Sequence, residues 1–133
     1  MNISIEKNQN PKPAPTGDFG FGSIFTPHMF RMDYKDGAWG EPRIVPYGPF
    51  VLDPACKVLH YGQEIFEGMK AYKNPDDQSV HMFRPDKNVK RFNISCERMC
   101  MPKVDETLFM EALETLINLD RTWVPESPNA LYI

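Results

Sequence analysis

The sequence is short of three things: cysteine, an excess of positive charge, and long apolar runs. Its three cysteines, Cys56, Cys96 and Cys100, are an odd number, which favours reduced thiols over a disulfide framework. Cys96 and Cys100 lie four apart on an expected helix. No His or Cys stands beside them at ligand spacing, so buried core thiols are expected rather than a metal pair. The net charge is −3, and without a basic domain or stripe nucleic acid is not an expected partner. No segment has the apolar core of a signal peptide or the length of a membrane span, which points to a cytoplasmic protein with no membrane partner. The histidines, His28, His60 and His81, have no Ser or Cys at motif spacing, so a nucleophilic triad has no support.

What is present is an ordinary globular composition, 41% apolar and 25% charged over 133 residues. A chain of this size forms about one domain and buries roughly two thirds of the surface its unfolded form exposes. Residues 1–18 are polar, with Pro11, Pro13 and Pro15, and read as a flexible or extended arm. Residues 19–133 read as the domain.

Met29 to Tyr34 and Trp39 to Tyr47 flank Lys35-Asp36-Gly37-Ala38, and Asp-Gly between strand-like runs predicts a hairpin. Pro42 and Pro46 place its second arm at a sheet edge or end it early. Phe50 to Leu52 reads as a further short strand, and Lys57 to Tyr61 as the lead into the next motif. Met69 to Lys73 and Val80 to Phe83, separated by Asn74-Pro75-Asp76-Asp77-Gln78, predict a second hairpin.

From Pro85 to Met101 the residues Val89, Phe92, Cys96 and Met99 recur at helical intervals, with Pro85 in the first turn and Pro102 after the end. A second helix is predicted from Glu106 to Asp120, apolar at Leu108, Phe109, Ala112, Leu113, Leu116 and Ile117 and capped by Asp105. Ala130 to Ile133 looks like the start of a strand. The expected class is α+β: a mainly antiparallel sheet with two amphipathic helices packed on it.

The densest concentration of special-purpose residues is His60 to Tyr72, which holds Tyr61, Gly62, Glu64, Phe66, Glu67 and Gly68. Glycines let backbone come close to a ligand or another chain, and aromatics give rigid apolar walls, so the stretch reads as the wall of a small-molecule pocket. Glu64 and Glu67 have neither the spacing nor the surroundings of an acid/base pair. Glu67, between Phe66 and Gly68, is expected to accept backbone hydrogen bonds that hold a tight turn. Arg84 and Arg91 frame the passage from a strand into a helix, where a guanidinium can clamp an anion or simply stay solvated. Phe21, Tyr61, Phe66 and Tyr132 are candidates for an aromatic pocket, although 12% aromatics is also enough to build a core.

Four blocks in order, Phe21 to Met29, Leu59 to Tyr72, Phe83-Arg84-Pro85 with Asn88 and Arg91, and Leu131-Tyr132-Ile133, resemble the N-terminal part of branched-chain amino acid aminotransferases. These are pyridoxal phosphate enzymes of fold type IV. The motif Tyr-Gly-x-x-x-Phe-Glu-Gly followed by Phe-Arg-Pro-x-x-Asn-x-x-Arg is specific to them. The resemblance implies that the chain is most of the small domain, cut before its last strands. It also implies that Arg91, rather than Arg84, binds the cofactor phosphate. Tyr61 and Phe66 would line the pocket for the branched side chain, the tyrosine reaching into the neighbouring subunit of a homodimer. Phe21 and Tyr132 would form two further walls. The implied reaction passes the amino group of leucine, isoleucine or valine to 2-oxoglutarate, so the small-molecule partners are amino acids and 2-oxo acids. None of the lysines matches the family's cofactor-bearing lysine, and Lys70 stands where relatives often carry arginine. The segment alone is therefore expected to be inactive, with no catalytic residue and no metal ligand of its own. The alternative is a non-catalytic remnant that works as an interaction or dimerisation module.

Overall fold

The computed structural model describes residues 2–17 and 19–133, and it contains three small sheets and three α-helices. Strands β2 (His28–Arg31) and β5 (Arg43–Pro46) pair antiparallel, from His28 opposite Pro46 to Arg31 opposite Arg43. Beyond them β3 (Tyr34–Lys35) and β4 (Ala38–Trp39) close the predicted hairpin. Its two-residue turn, Asp36-Gly37, has positive φ at both positions, 52° and 83°, the twist that matches a right-handed strand pair.

The long hairpin is interrupted because its second arm carries one residue more than its first, at Gly40 to Pro42. The Gly40 amide donates to the Asp33 carbonyl across the break at 2.8 Å. Of the two outcomes expected from the prolines, the early end holds at Pro46 and the edge position does not. β5 lies in the middle of its sheet, with β1 (Ser4–Ile5) paired parallel on its other side. Pro42 sits in the bulge and Pro46 closes the strand, positions where a missing N–H costs no ladder bond. The arm is thus extended where it meets β5, and the Asn8 amide donates to His28 Nε2 at 2.9 Å.

One further expectation changes: Phe50 to Leu52 form no strand. Lys57–Tyr61, the lead into the next motif, is a short helix, α1, ended by Gly62 in the left-handed conformation. The second hairpin forms as predicted from β6 (Lys70–Lys73) and β7 (Val80–Met82). Strand β8 (Leu131–Tyr132) pairs with the other edge of β6, and Met69 and Ile133 extend that ladder by exchanging both backbone hydrogen bonds, at 2.8 and 2.9 Å.

Helix α2 (Pro85–Arg98) stops three residues before Met101. Cys100 takes φ 53°, and the Met101 and Cys100 amides donate back to the Cys96 and Glu97 carbonyls, the paired bonds of a left-handed helix stop. This exposes Cys100, while Cys96 is buried and its thiol pushed up by burial. The buried stripe is Val89, Asn93 and Cys96; Met99, expected on it, is exposed. Asn93 belongs to the core because its side chain serves both backbone groups of Val104, donating to the carbonyl and accepting from the amide, each at 2.9 Å.

Helix α3 (Glu106–Leu119) starts where Asp105 Oδ1 accepts from the Leu108 amide at 2.8 Å. Its buried face, Leu113 and Ile117, packs on Met69 and Ala71 with Val124 to form the main core. Phe92 of α2 meets Phe109 of α3 edge to face at 5.1 Å, an aromatic pair that joins the two helices.

Asn93→Ala leaves the half-buried Val104 amide and carbonyl without their partner and should cost about 2 kcal/mol, against about 1 kcal/mol for Asp105→Ala, which removes one cap bond. Urea unfolding of both variants measures the order; equal losses would mean the Asn93 bridge is not holding the interhelical loop.

Candidate functional site

Glu67 lies just before β6, on an extended segment that passes α2. Its side chain is only 5% exposed, and a carboxylate in that position requires donors. It has four. Arg91 grips it with Nε on Oε2 at 2.7 Å and Nη2 on Oε1. Asn88 Nδ2 and the Gly68 amide each reach Oε1 at 3.1 Å, and Asn88 also donates to the Gly68 carbonyl at 3.1 Å. Asn88 and Arg91 are three apart on α2, which puts both on one face of the helix. The Arg91 guanidinium, then Asn88 and the Gly68 amide, hold the Glu67 carboxyl below the usual range against the upward pull of burial. The same pairing raises Arg91. Arg91 itself is 66% exposed, and its Nη1 has no partner among the described residues.

One residue further, Gly68 lies under the ring of Tyr132. Antiparallel pairing of Lys70 with Tyr132 sets Tyr132 diagonal to Gly68 on the same face. A Cβ on Gly68 would run into the tyrosine hydroxyl and come within 3.1 Å of the ring carbon that bears it, so the close approach needs glycine. Phe21 packs edge to face on the same ring at 5.3 Å. Behind the pair is a cavity of about 300 Å³, whose walls include Phe19, Phe25, Trp123 and Leu131. A second cavity of about 370 Å³, walled by Phe30, Met69, Phe92 and Leu116, touches Glu67 from the helix side.

Comparison with family models gives no match. Individual relatives are clear. Branched-chain-amino-acid transaminase 1 of Bacillus subtilis (strain 168) is 52% identical, over all of this chain and 38% of the relative. Branched-chain-amino-acid aminotransferase 2 of the same organism is 45% identical over all of the chain and 37% of the relative. The mitochondrial branched-chain-amino-acid aminotransferase of Mus musculus is 41% identical over all of the chain and 34% of the relative. This chain is a homologue of the branched-chain amino acid aminotransferases. It spans well under half the length of the curated relatives it matches.

In this aminotransferase homologue the motif blocks, far apart in sequence, meet around two neighbouring residues: Arg91 and Asn88 at Glu67, Tyr132 and Phe21 at Gly68. Arg84 takes no part; it caps α2 in the left-handed conformation and is exposed. Tyr61 and Phe66 join neither group. They are 83% and 77% exposed, as is Phe21 at 81%, and neither lines the two cavities. Glu64 is exposed, and the backbone bond expected at Glu67 comes from Gly68, with Asn88 and Arg91 as partners that sequence reasoning missed. The Glu67-x-x… spacing to Asn88 and Arg91 carries no periodic signal; only the buried place of Glu67 beside a helix reveals it.

A second missed group is His28 with Asp120, both buried. His28 Nδ1 lies 2.6 Å from Asp120 Oδ1, and the His28 amide donates to Oδ2 at 3.0 Å. Because Nε2 accepts from Asn8, Nδ1 carries the proton and donates to Asp120. Among the described residues, no group of three or more His, Cys, Asp or Glu could hold a metal ion, and no helix is long and apolar enough to cross a membrane.

The folded value of Glu67 lies below its unfolded one, so its contribution to stability is full above the usual glutamate range and is lost as pH falls through the depressed value. Urea unfolding of wild type and Glu67→Gln from pH 7 to pH 3 should show the wild-type advantage shrinking with acid. An advantage independent of pH would contradict the charged pairing.

Proposed function

We propose that this chain carries the cofactor-phosphate arginine and part of the substrate wall of a cytoplasmic, homodimeric branched-chain amino acid aminotransferase. The whole enzyme would move the amino group of leucine, isoleucine or valine to 2-oxoglutarate, in branched-chain amino acid biosynthesis. Arg91 is the observation that carries this reading. Its guanidinium is fixed on one edge and open on the other, the arrangement in which planar paired donors suit a phosphate. The donor set therefore fits pyridoxal phosphate, which when bound withdraws electrons from the α-carbon of the amino acid.

The chain's own residues then bind and enclose. Arg91 holds the phosphate end. Tyr132, seated over Gly68, and Phe21, packed edge to face on its ring, offer an apolar wall for a branched side chain, at about 25 cal/mol per Å² of apolar surface covered. Tyr61 and Phe66 stand out far enough to complete a pocket from outside, which supports a wall shared across a dimer. No lysine lines either cavity; Lys73 and Lys103 are paired with Glu126 and Glu97. The isolated chain is read as inactive because none of its lysines matches the cofactor-bearing lysine of the family it resembles.

The direct test joins this chain to the remainder of the Bacillus subtilis transaminase 1. The hybrid should transaminate all three branched amino acids with 2-oxoglutarate, and the 133-residue chain should not. In the hybrid, Arg91→Ala should weaken pyridoxal phosphate retention at least about tenfold, the loss of one charge-assisted contact. A folded, cofactor-loaded hybrid that ignores branched substrates would refute the substrate assignment, and unchanged cofactor retention in Arg91→Ala would refute the phosphate role.

A further inference from the structure

We propose that Glu67 is a positioning residue, whose buried carboxylate fixes the Nε and Nη2 edge of Arg91 so that the outer Nη1 edge is presented to a phosphate group. The inference rests on the phosphate reading of Arg91 and deepens it. Two arrangements are conceivable for a carboxylate beside a phosphate-binding arginine. It can be a placeholder that gives way when the phosphate arrives, or a fixed support behind the arginine.

Burial and bond count decide between them. The side chain of Glu67 is 5% exposed and that of Arg91 66% exposed, so the acid sits on the protein side and the guanidinium on the solvent side. Besides Arg91, the acid is held by Asn88 Nδ2 and the Gly68 amide at 3.1 Å. Leaving its place would strand both donors as well as the charge. Arg91 spends Nε and Nη2 on Glu67 and keeps Nη1 for an incoming anion. A long exposed side chain otherwise has many rotamers to lose on binding. The support removes most of that freedom beforehand, as outer-shell partners do for metal ligands. Asn88 adds a further constraint, because by bonding the Gly68 carbonyl it ties the same support to the backbone on which Tyr132 rests.

The proposal has a sign that simple electrostatics does not share. By Coulomb's law, removing a negative charge beside Arg91 should tighten phosphate binding; if Glu67 positions the arginine, removing it should weaken binding. Inorganic phosphate is titrated into the 133-residue chain at constant ionic strength and pH 7 in proton–nitrogen correlation spectra, with affinity read from the backbone amide signals around Gly68 and Arg91 and the Glu67 pairing read from the Arg91 Nε–H signal. Glu67→Gln should lose the downfield, slowly exchanging Nε–H signal and bind phosphate about tenfold more weakly, the scale of outer-shell losses. Binding that is unchanged or tighter would overturn the inference. If Glu67→Gln does not give a native amide spectrum, Asn88→Ala carries the test, with weaker phosphate binding expected and equal or tighter binding again fatal. Arg91→Lys separates the two levels. A phosphate response that persists in Arg91→Lys, or is absent from wild type, refutes the phosphate reading and this inference with it. A response lost in Arg91→Lys but kept in Glu67→Gln refutes the positioning role alone.

Discussion

A carboxylate with almost no access to water must be supplied with donors or it destabilises the place it occupies. Glu67 is supplied from three directions: the guanidinium of Arg91, the amide of Asn88 and the backbone of Gly68. Those bonds fasten the segment before β6 to the face of α2. Once that segment is fixed, Met69 can pair with Ile133, Tyr132 can lie over Gly68, and Phe21 can pack on Tyr132. The location of the aromatic wall and the direction of Arg91 follow from one buried charge.

The supports around this group are more conventional. The main core lies between α3 and the second sheet, through Leu113, Ile117, Met69 and Ala71. Loops that carry no regular structure are tied by single polar residues: Asn93 holds the interhelical loop at Val104, and Trp39 Nε1 donates to the Lys103 carbonyl at 2.8 Å, which draws the first hairpin onto the same loop. His28 and Asp120 do a similar job at the far end, joining β2 to the end of α3 and, through Asn8, to the arm. Asn93, His28 and Asp120 are buried; such groups stabilise little in net terms but are costly to leave half-satisfied, and their bonds to Val104, Asn8 and one another avoid that cost.

The elements whose signals are local were legible in the sequence. Asp36-Gly37 demanded its turn, Asp105 marked the start of α3, and the apolar spacing of α2 and α3 fixed their inner faces to within one position. The exception is instructive: Met99 has the right spacing, but the helix stops at Cys100, and the buried place goes to Asn93 because Val104 needs both of its backbone groups met. Long-range choices were not legible. The parallel pairing of β1 with β5 depends on where an arm lands, and the short helix α1 has no side-chain cap and too few residues to show a period. At the site, aromatics and arginine could be singled out by type. That Glu67 would face α2 while Gly68 faces Tyr132 depends on the alternation of an extended segment between a helix and a strand, which needs the fold.

The central claim is that Glu67 and Arg91 act as one unit in holding the segment before β6. A double-mutant cycle measures this most directly, with urea unfolding at neutral pH of wild type, Glu67→Gln, Arg91→Ala and the pair together. The account predicts that the double variant loses clearly less stability than the sum of the two single losses, because each single change leaves the other partner unsupported. Losses that simply add would contradict it.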